Sequence, residues 1–158
     1  MQNALFNYVN EDISSNDYYT PKYIFDAIGL EFDIDVAAPV SGIPYIPAKR
    51  WFSQLEDGLQ QDWGGCLVYM NPPFSKPAPW VEKFIENNNG IALLCTSKAK
   101  WFKIIWEKAQ GILTVDSSFK FNRPDDVRSD IYMPTVLVSM GDTATKALIN
   151  SKLGRVRC

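Results

Sequence analysis

A chain of 158 residues with 46% apolar side chains and a net charge of −2 is long enough to bury its own core and too weakly charged to grip a polyanion by bulk charge. It has no histidine, which removes His-based zinc sites, Ser-His-Asp hydrolysis and imidazole acid–base chemistry, so no metal is expected. Its cysteines (Cys66, Cys95, Cys158) form no CxxC and read as reduced thiols of a cytoplasmic protein, with neither a signal-peptide pattern nor an apolar run near the ~20 residues of a membrane span.

Residues 1–16 carry no sustained period and read as a flexible arm, residues 17–141 as the main domain, and residues 142–158 as a basic, weakly helical tail. Thr20 as N-cap and Pro21 as first helical residue predict a helix start, Ile24, Ala27 and Ile28 give its apolar stripe, and Gly29 ends it. Residues 32–36 alternate apolar and acidic side chains, which predicts a short strand carrying Asp35 near its end. Ala37, Ala38 and Gly42 follow, small enough for a ligand to approach the backbone, and the Asp35 carboxylate could accept hydrogen bonds from an ammonium or a hydroxyl. Residues 43–63 hold two prolines, a short strand at Tyr45-Ile46, an aromatic anchor at Trp51-Phe52, and a turn at Glu56-Asp57-Gly58-Leu59 exposing a second carboxylate.

Residues 66–70 are an apolar run that reads as a buried strand, and Asn71-Pro72-Pro73-Phe74 stops it. A polar amide, two rigid residues and an aromatic ring are thereby delivered to a strand end, where open α/β sheets bind ligands; an ordinary strand-to-turn junction is the plainer alternative. Pro79 can open a helix over 79–88 whose face is Trp80, Val81, Phe84 and Ile85, and the Asn-Asn-Asn-Gly run at 87–90 stops it. A strand is expected at 91–95 and a helix at 98–110, with Trp101, Phe102, Ile105, Trp106 and Ala109 inside and a lysine-rich face outside. Residues 112–115 and 119–121 read as strand material, residues 122–130 as a polar loop with Arg123 and Arg128, and residues 135–140 as the last strand. Apolar strands interleaved with helices imply an α/β sandwich with a mostly parallel sheet, and the late, closely spaced strands suggest an antiparallel pair at one edge.

The charge is unevenly spread. Residues 1–65 hold ten Asp/Glu and three Lys/Arg, and residues 66–158 hold eight and thirteen, so −7 is followed by +5. A polyanion would approach the second half, where Lys76, Lys120, Arg123 and Arg128 are candidate phosphate contacts.

The order DYYTP, FDIDVAA, EDGLQQDW, YMNPPFSKPAPW and IALLCTSKAKW resembles the phage-type, Dam-like DNA adenine-N6 methyltransferases, from about residue 17 to about residue 141. The resemblance implies a single Rossmann-like, S-adenosylmethionine-dependent domain acting on a flipped adenine in DNA, in the bacterial host's cytoplasm, as phage or prophage DNA modification that can protect against host restriction. Carried over by position, Asn71, Pro72, Pro73 and Phe74 are the catalytic motif. Tyr19, Thr20 and Pro21 border the methionine end of the cofactor, Asp35 and Ala37 fall at the first-strand cofactor motif, and Asp57 in DGL faces the adenosine. Lys76 and Trp80 lie toward the nucleic acid. The chain departs from the pattern in lacking an FxGxG glycine loop.

The motif's chemistry agrees with this. The lone pair of an adenine amine is delocalised into the ring. The Asn71 side-chain oxygen and the Pro72 carbonyl can accept its two N–H groups and draw the nitrogen toward a pyramidal, nucleophilic geometry, an effect of orientation. Phe74 can stack on a base taken out of the duplex. The same four residues suit other planar NH2 groups, so an RNA base amine, a protein glutamine amide, or a catalytically silent DNA- or partner-binding module remain as alternatives.

Overall fold

The computed structural model describes residues 18–116, 119–121 and 134–158. Among these, seven strands form one sheet: β1 (Phe32–Asp35), β2 (Ala48–Trp51), β3 (Val68–Met70), β4 (Gly90–Cys95), β5 (Gly111–Thr114), β6 (Thr135–Met140) and β7 (Val156–Arg157), in the order β2-β1-β3-β4-β6-β5-β7. β1 to β4 pair in parallel, while β6 runs antiparallel between β4 and β5 and β7 runs antiparallel to β5. β5 therefore points the same way as β1 to β4, and five carboxyl ends open on one edge. The mostly parallel α/β sandwich with an antiparallel edge is the fold that the alternation of strands and helices predicts.

Side-chain alternation along the strands sorts the core into two layers. Ile34, Met70, Leu94 and Val138 face α2 (Ala78–Asn87) and α3 (Lys100–Lys108), meeting Val81, Phe84 and Ile105. Tyr69, Ile91, Leu93 and Leu137 face α1 (Lys22–Ile28) and α4 (Asp142–Asn150), meeting Ile24, Phe25, Ala144 and Leu148. β4 and β6 are buried along their whole length, which explains why both read as continuous apolar runs. No helix among the described residues is long and apolar enough to cross a membrane.

Several elements differ from expectation, each for a local reason. Pro21 is the N-cap of α1 and Thr20 gives it no side-chain cap, because the Thr20 hydroxyl is bonded to the buried Tyr69 phenol. Gly29 does end α1, in the left-handed conformation at φ 68°. No strand forms at Tyr45-Ile46, which lies in a turn closed by Ile46 N–H donating to the Ile43 carbonyl; the strand comes later, as β2. β2 sits at the sheet edge with Lys49, Arg50 and Trp51 exposed, so it leaves no apolar run to read. Trp106, expected inside, is 54% exposed. The Arg157 guanidinium lies 4.6 Å from its ring centroid and donates to its carbonyl, so the closing strand covers what the core does not.

Residues 119–121 form no strand; Phe121 makes one bridge and buries its ring. The tail is more ordered than its composition suggests, since α4 packs on the sheet and β7 extends it. Residues 1–16 and the loop with Arg123 and Arg128 lie outside the described residues.

β3 and β4 pair Val68 with Gly90, and a Cβ at Gly90 would collide with the Val68 carbonyl and sit 2.7 Å from Val68 Cγ2 and 3.2 Å from the Phe84 ring. Gly90→Ala is expected to cost about 1–3 kcal/mol of stability. Thermal melts check this, and a melting temperature equal to wild type would contradict the close approach.

Candidate active site

The chain leaves β1 toward β2 and leaves β3 toward β4 on the opposite side, so the connections diverge between the carboxyl ends of β1 and β3. In open α/β sheets that divergence leaves the crevice in which ligands bind. Parallel register sets Asp35 beside Tyr69, two residues before Asn71, so Asp35 and the Asn-Pro-Pro-Phe motif are brought together across one pair of strands.

Pro72 and Pro73 prevent β3 from continuing, since neither can donate to a neighbouring strand. Asn71 is half-buried, and its Nδ2 donates to the Tyr18 carbonyl at 2.6 Å. The donor end of the amide is thus engaged and its Oδ1 is left as the acceptor. The Phe74 ring stacks on Tyr18 with centroids 5.6 Å apart and planes 16° apart, and Phe121 meets both rings edge-on at 5.8 and 5.7 Å. Phe119 packs edge-on against Phe121 at 4.6 Å. Tyr18 and Phe121 against Phe74, with Phe119 behind Phe121, make an aromatic wall beside the motif.

Two residues before Asn71, Tyr69 meets residues 18–20 through one buried polar contact. The Tyr69 phenol and the Thr20 hydroxyl are hydrogen-bonded, both 1% exposed, and the Tyr45 hydroxyl donates to the Thr20 carbonyl at 2.7 Å. Burial pushes the Tyr69 phenol well above its ordinary value, opposed by the bond to Thr20, so it stays protonated. Thr20 therefore turns inward, whereas the resemblance set it beside a ligand. Tyr19 is half-buried and Pro21 is buried beside it.

Asp35 is 3% exposed. Its carbonyl accepts the Phe52 N–H (2.8 Å), and the N–H of the next residue, Val36, donates to the Tyr69 carbonyl (3.0 Å). Its carboxyl receives the Ala37 N–H at 3.3 Å. Desolvation raises its pKa to about 7, and the Ala37 bond offsets this in part. Asp35 lines a pocket of about 130 Å³ with Ser41, Gly42, Ile43, Pro44, Ile46, Ala48 and Trp51. Gly42 is left-handed (φ 68°), and a Cβ there would lie 2.9 Å from the Trp51 indole, so glycine lets the loop rest on that ring. Trp51 was legible only as an aromatic anchor; its place as a pocket wall follows from β2, whose edge position left no periodic signal.

The Asp57 turn is built onto the same strand end. Asp57 is exposed and left-handed (φ 54°), and its carboxylate accepts from Leu59 N–H at 3.2 Å. Gly58 lies so close to the Val36 carbonyl that no Cβ fits between them. The Trp63 indole donates to the Gly58 carbonyl at 2.8 Å and stacks on Trp80, while the Lys83 ammonium donates to the Leu59 and Gln61 carbonyls. Trp80 is half-buried, with its ring against Trp63 and the Gly58 turn. Lys76, after the motif, and Lys120, beside Phe121, are exposed.

A family model described as "DNA N-6-adenine-methyltransferase (Dam)" matches residues 10–138, which include β1 to β5 and the Asn-Pro-Pro-Phe motif. The DNA N-6-adenine-methyltransferase of Haemophilus phage HP1 (strain HP1c1) is 24% identical over 115 residues, covering 69% of this chain. The chain matches 65% of that relative's own length. No solved structure matches the chain.

The buried Asp35 makes stability depend on pH. Its pKa is about 7 when folded against 3.8 as the ordinary value, so the folded state holds a proton that the unfolded state has lost between those values. The stabilising contribution is full below about pH 4 and is lost as pH rises toward 7. Melting temperatures measured from pH 5 to pH 8 should fall more steeply for wild type than for Asp35→Asn, and parallel curves would rule out a raised Asp35.

Proposed function

This chain belongs to the DNA N-6-adenine-methyltransferase (Dam) family, and from that premise we propose that it transfers a methyl group from S-adenosylmethionine to the N6 amine of adenine in DNA. The observation that carries the reading is the Asn71 amide, whose nitrogen is engaged by the Tyr18 carbonyl so that its oxygen is left to accept from a target amine.

In this reading Asn71 Oδ1 and the Pro72 carbonyl take the two N–H groups of the adenine amine, and proline's fixed φ holds the second acceptor's direction. Two acceptors on one nitrogen draw it out of conjugation and aim its lone pair, a gain from orientation alone. Phe74 stacks on the extruded base, and the base displaces part of the Tyr18 contact. The surplus proton leaves to water, so no histidine or strong base is required.

The pocket fits part of the cofactor by its chemistry. A buried carboxyl with one backbone donor suits an ammonium or hydroxyl, and a half-exposed indole suits a planar base. We assign Asp35, Ala37, Tyr19, Pro21 and the Asp57 turn to holding S-adenosylmethionine, with Gly42 and Trp51 added as pocket walls. When bound, it supplies an electrophilic methyl group. Lys76 and Lys120 would meet DNA phosphates, with Arg123 and Arg128, which follow Lys120 in the sequence, as further candidates. Modification of phage or prophage DNA, protective against restriction, is the setting that suits this activity.

Incubation with tritiated S-adenosylmethionine and unmodified DNA, followed by digestion to nucleosides, should recover label in N6-methyladenosine. Asn71→Ala should lower the rate at least ~100-fold, the scale of losing one positioning contact in a near-attack geometry. Label appearing instead in RNA or in protein glutamine, or cofactor binding with no transfer to any of the three, would refute the DNA assignment.

A further inference from the structure

We infer that Thr20 is a positioning residue, whose buried hydroxyl bond to Tyr69 fixes residues 18–20 in register over β3 and thereby sets the orientation of the Asn71 amide. The inference rests on the catalytic role proposed above for Asn71, and no family correspondence supplies it, since that correspondence sets Thr20 beside the cofactor.

Two contacts define the register. Tyr18 meets Asn71 through its carbonyl, and Thr20 meets Tyr69 through its hydroxyl. The contacted residues are two apart in each segment and run in reversed order, so residues 18–20 lie across residues 69–71. Both contacts need residues 18–20 at one place along residues 69–71, Thr20 through its hydroxyl and Tyr18 through its carbonyl. A slip of one residue would remove Thr20 from the phenol and the Tyr18 carbonyl from the amide together.

The Thr20 end carries the stronger penalty. Tyr69 lies in an apolar layer with Phe25 edge-on at 4.8 Å and Phe32 at 5.6 Å. A phenol left unpaired there is costly, so the pairing with Thr20 resists sliding. The Tyr45 hydroxyl adds a second hold on the same residue through its carbonyl. The Asn71 end is half-buried and near the surface, and its amide has two orientations of similar shape. Only one of them presents an oxygen to the target amine. Without the Tyr18 carbonyl fixed in place, the amide can turn its own NH2 toward that amine, donor against donor.

The test uses the full chain carrying Thr20→Val, which keeps the shape and removes the hydroxyl, and Thr20→Ser, which restores the hydroxyl. Thr20→Val should lower kcat roughly 10- to 100-fold, within the range expected for a displaced catalytic group. KM for DNA and Kd for S-adenosylmethionine, measured by calorimetry, should stay within about twofold, and Thr20→Ser should recover most of kcat. If Thr20→Val does not fold, Thr20→Val with Tyr69→Phe removes both polar partners and leaves an apolar contact in their place; that double variant should show the same low kcat. Independently of turnover, the Asn71 side-chain NH2 signal in 15N NMR, assigned by its absence in Asn71→Ala, should lose its protection from hydrogen exchange in Thr20→Val and regain it in Thr20→Ser. Wild-type protection of that signal in Thr20→Val, or a loss of cofactor affinity matching the loss of kcat, would overturn the inference. Absence of methyl transfer by the wild type would overturn the catalytic reading alone, since the NMR comparison still decides whether Thr20 holds the amide.

Discussion

The abrupt end of β3 is the constraint on which the site depends. Three residues, all buried, pair with β1 on one side and β4 on the other, and then two prolines forbid any further ladder. Whatever follows must leave the sheet at one defined point, between two strands whose connections run in opposite directions. Asn71 is therefore placed by backbone geometry before any side-chain contact acts on it. The short strand also makes the neighbouring hydrogen bonds matter more. Val36 N–H reaches the Tyr69 carbonyl and Val68 N–H the Asn89 carbonyl, so the flanks hold what the ladder alone would hold weakly.

What was legible in the sequence follows from how much of each element is buried. β4 and β6 were readable because both faces are covered, and α2 because its stripe of Val81 and Phe84 is regular. β2 was misplaced because an edge strand with exposed Lys49 and Arg50 has no need of apolar alternation. Trp106 was read as core on helical spacing alone, yet α3 buries only one side chain fully, Ile105, and the covering group for Trp106 arrives from residue 157. Spacing reports which side chains share a face; it does not report how much of that face the sheet can reach.

The site shows the same division. Asn71 to Phe74 and Asp35 were visible as residue types at strand ends, because local sequence dictates where a strand stops. Thr20 and Tyr69 were not visible as partners, since they are 49 positions apart and each has an ordinary local reading, one as a helix cap and the other as a strand aromatic. The helix-cap reading failed for a physical reason: a hydroxyl can satisfy a helix N–H or a buried phenol, and the phenol has the greater penalty if left alone. Gly58 is a similar case, where a turn glycine was legible but its close approach to the Val36 carbonyl belongs to the tertiary fold.

In the proposed reaction donor and acceptor must meet, and the parallel register sets the two candidate subsites at neighbouring strand ends. Adjacent strands lie about 4.8 Å apart. Asp35, with its pocket, ends one strand, and Asn71 leaves the next, offset by two residues from the partner of Asp35. The pocket beside Asp35 and the Asn71–Phe74 segment therefore sit at neighbouring strand ends. Tyr69, paired with Asp35 and two residues before Asn71, is held neutral by its burial. An ionised phenol there would face the Asp35 carboxyl in an apolar layer, and the charge on Asp35 is one of the causes that push the phenol's pKa upward.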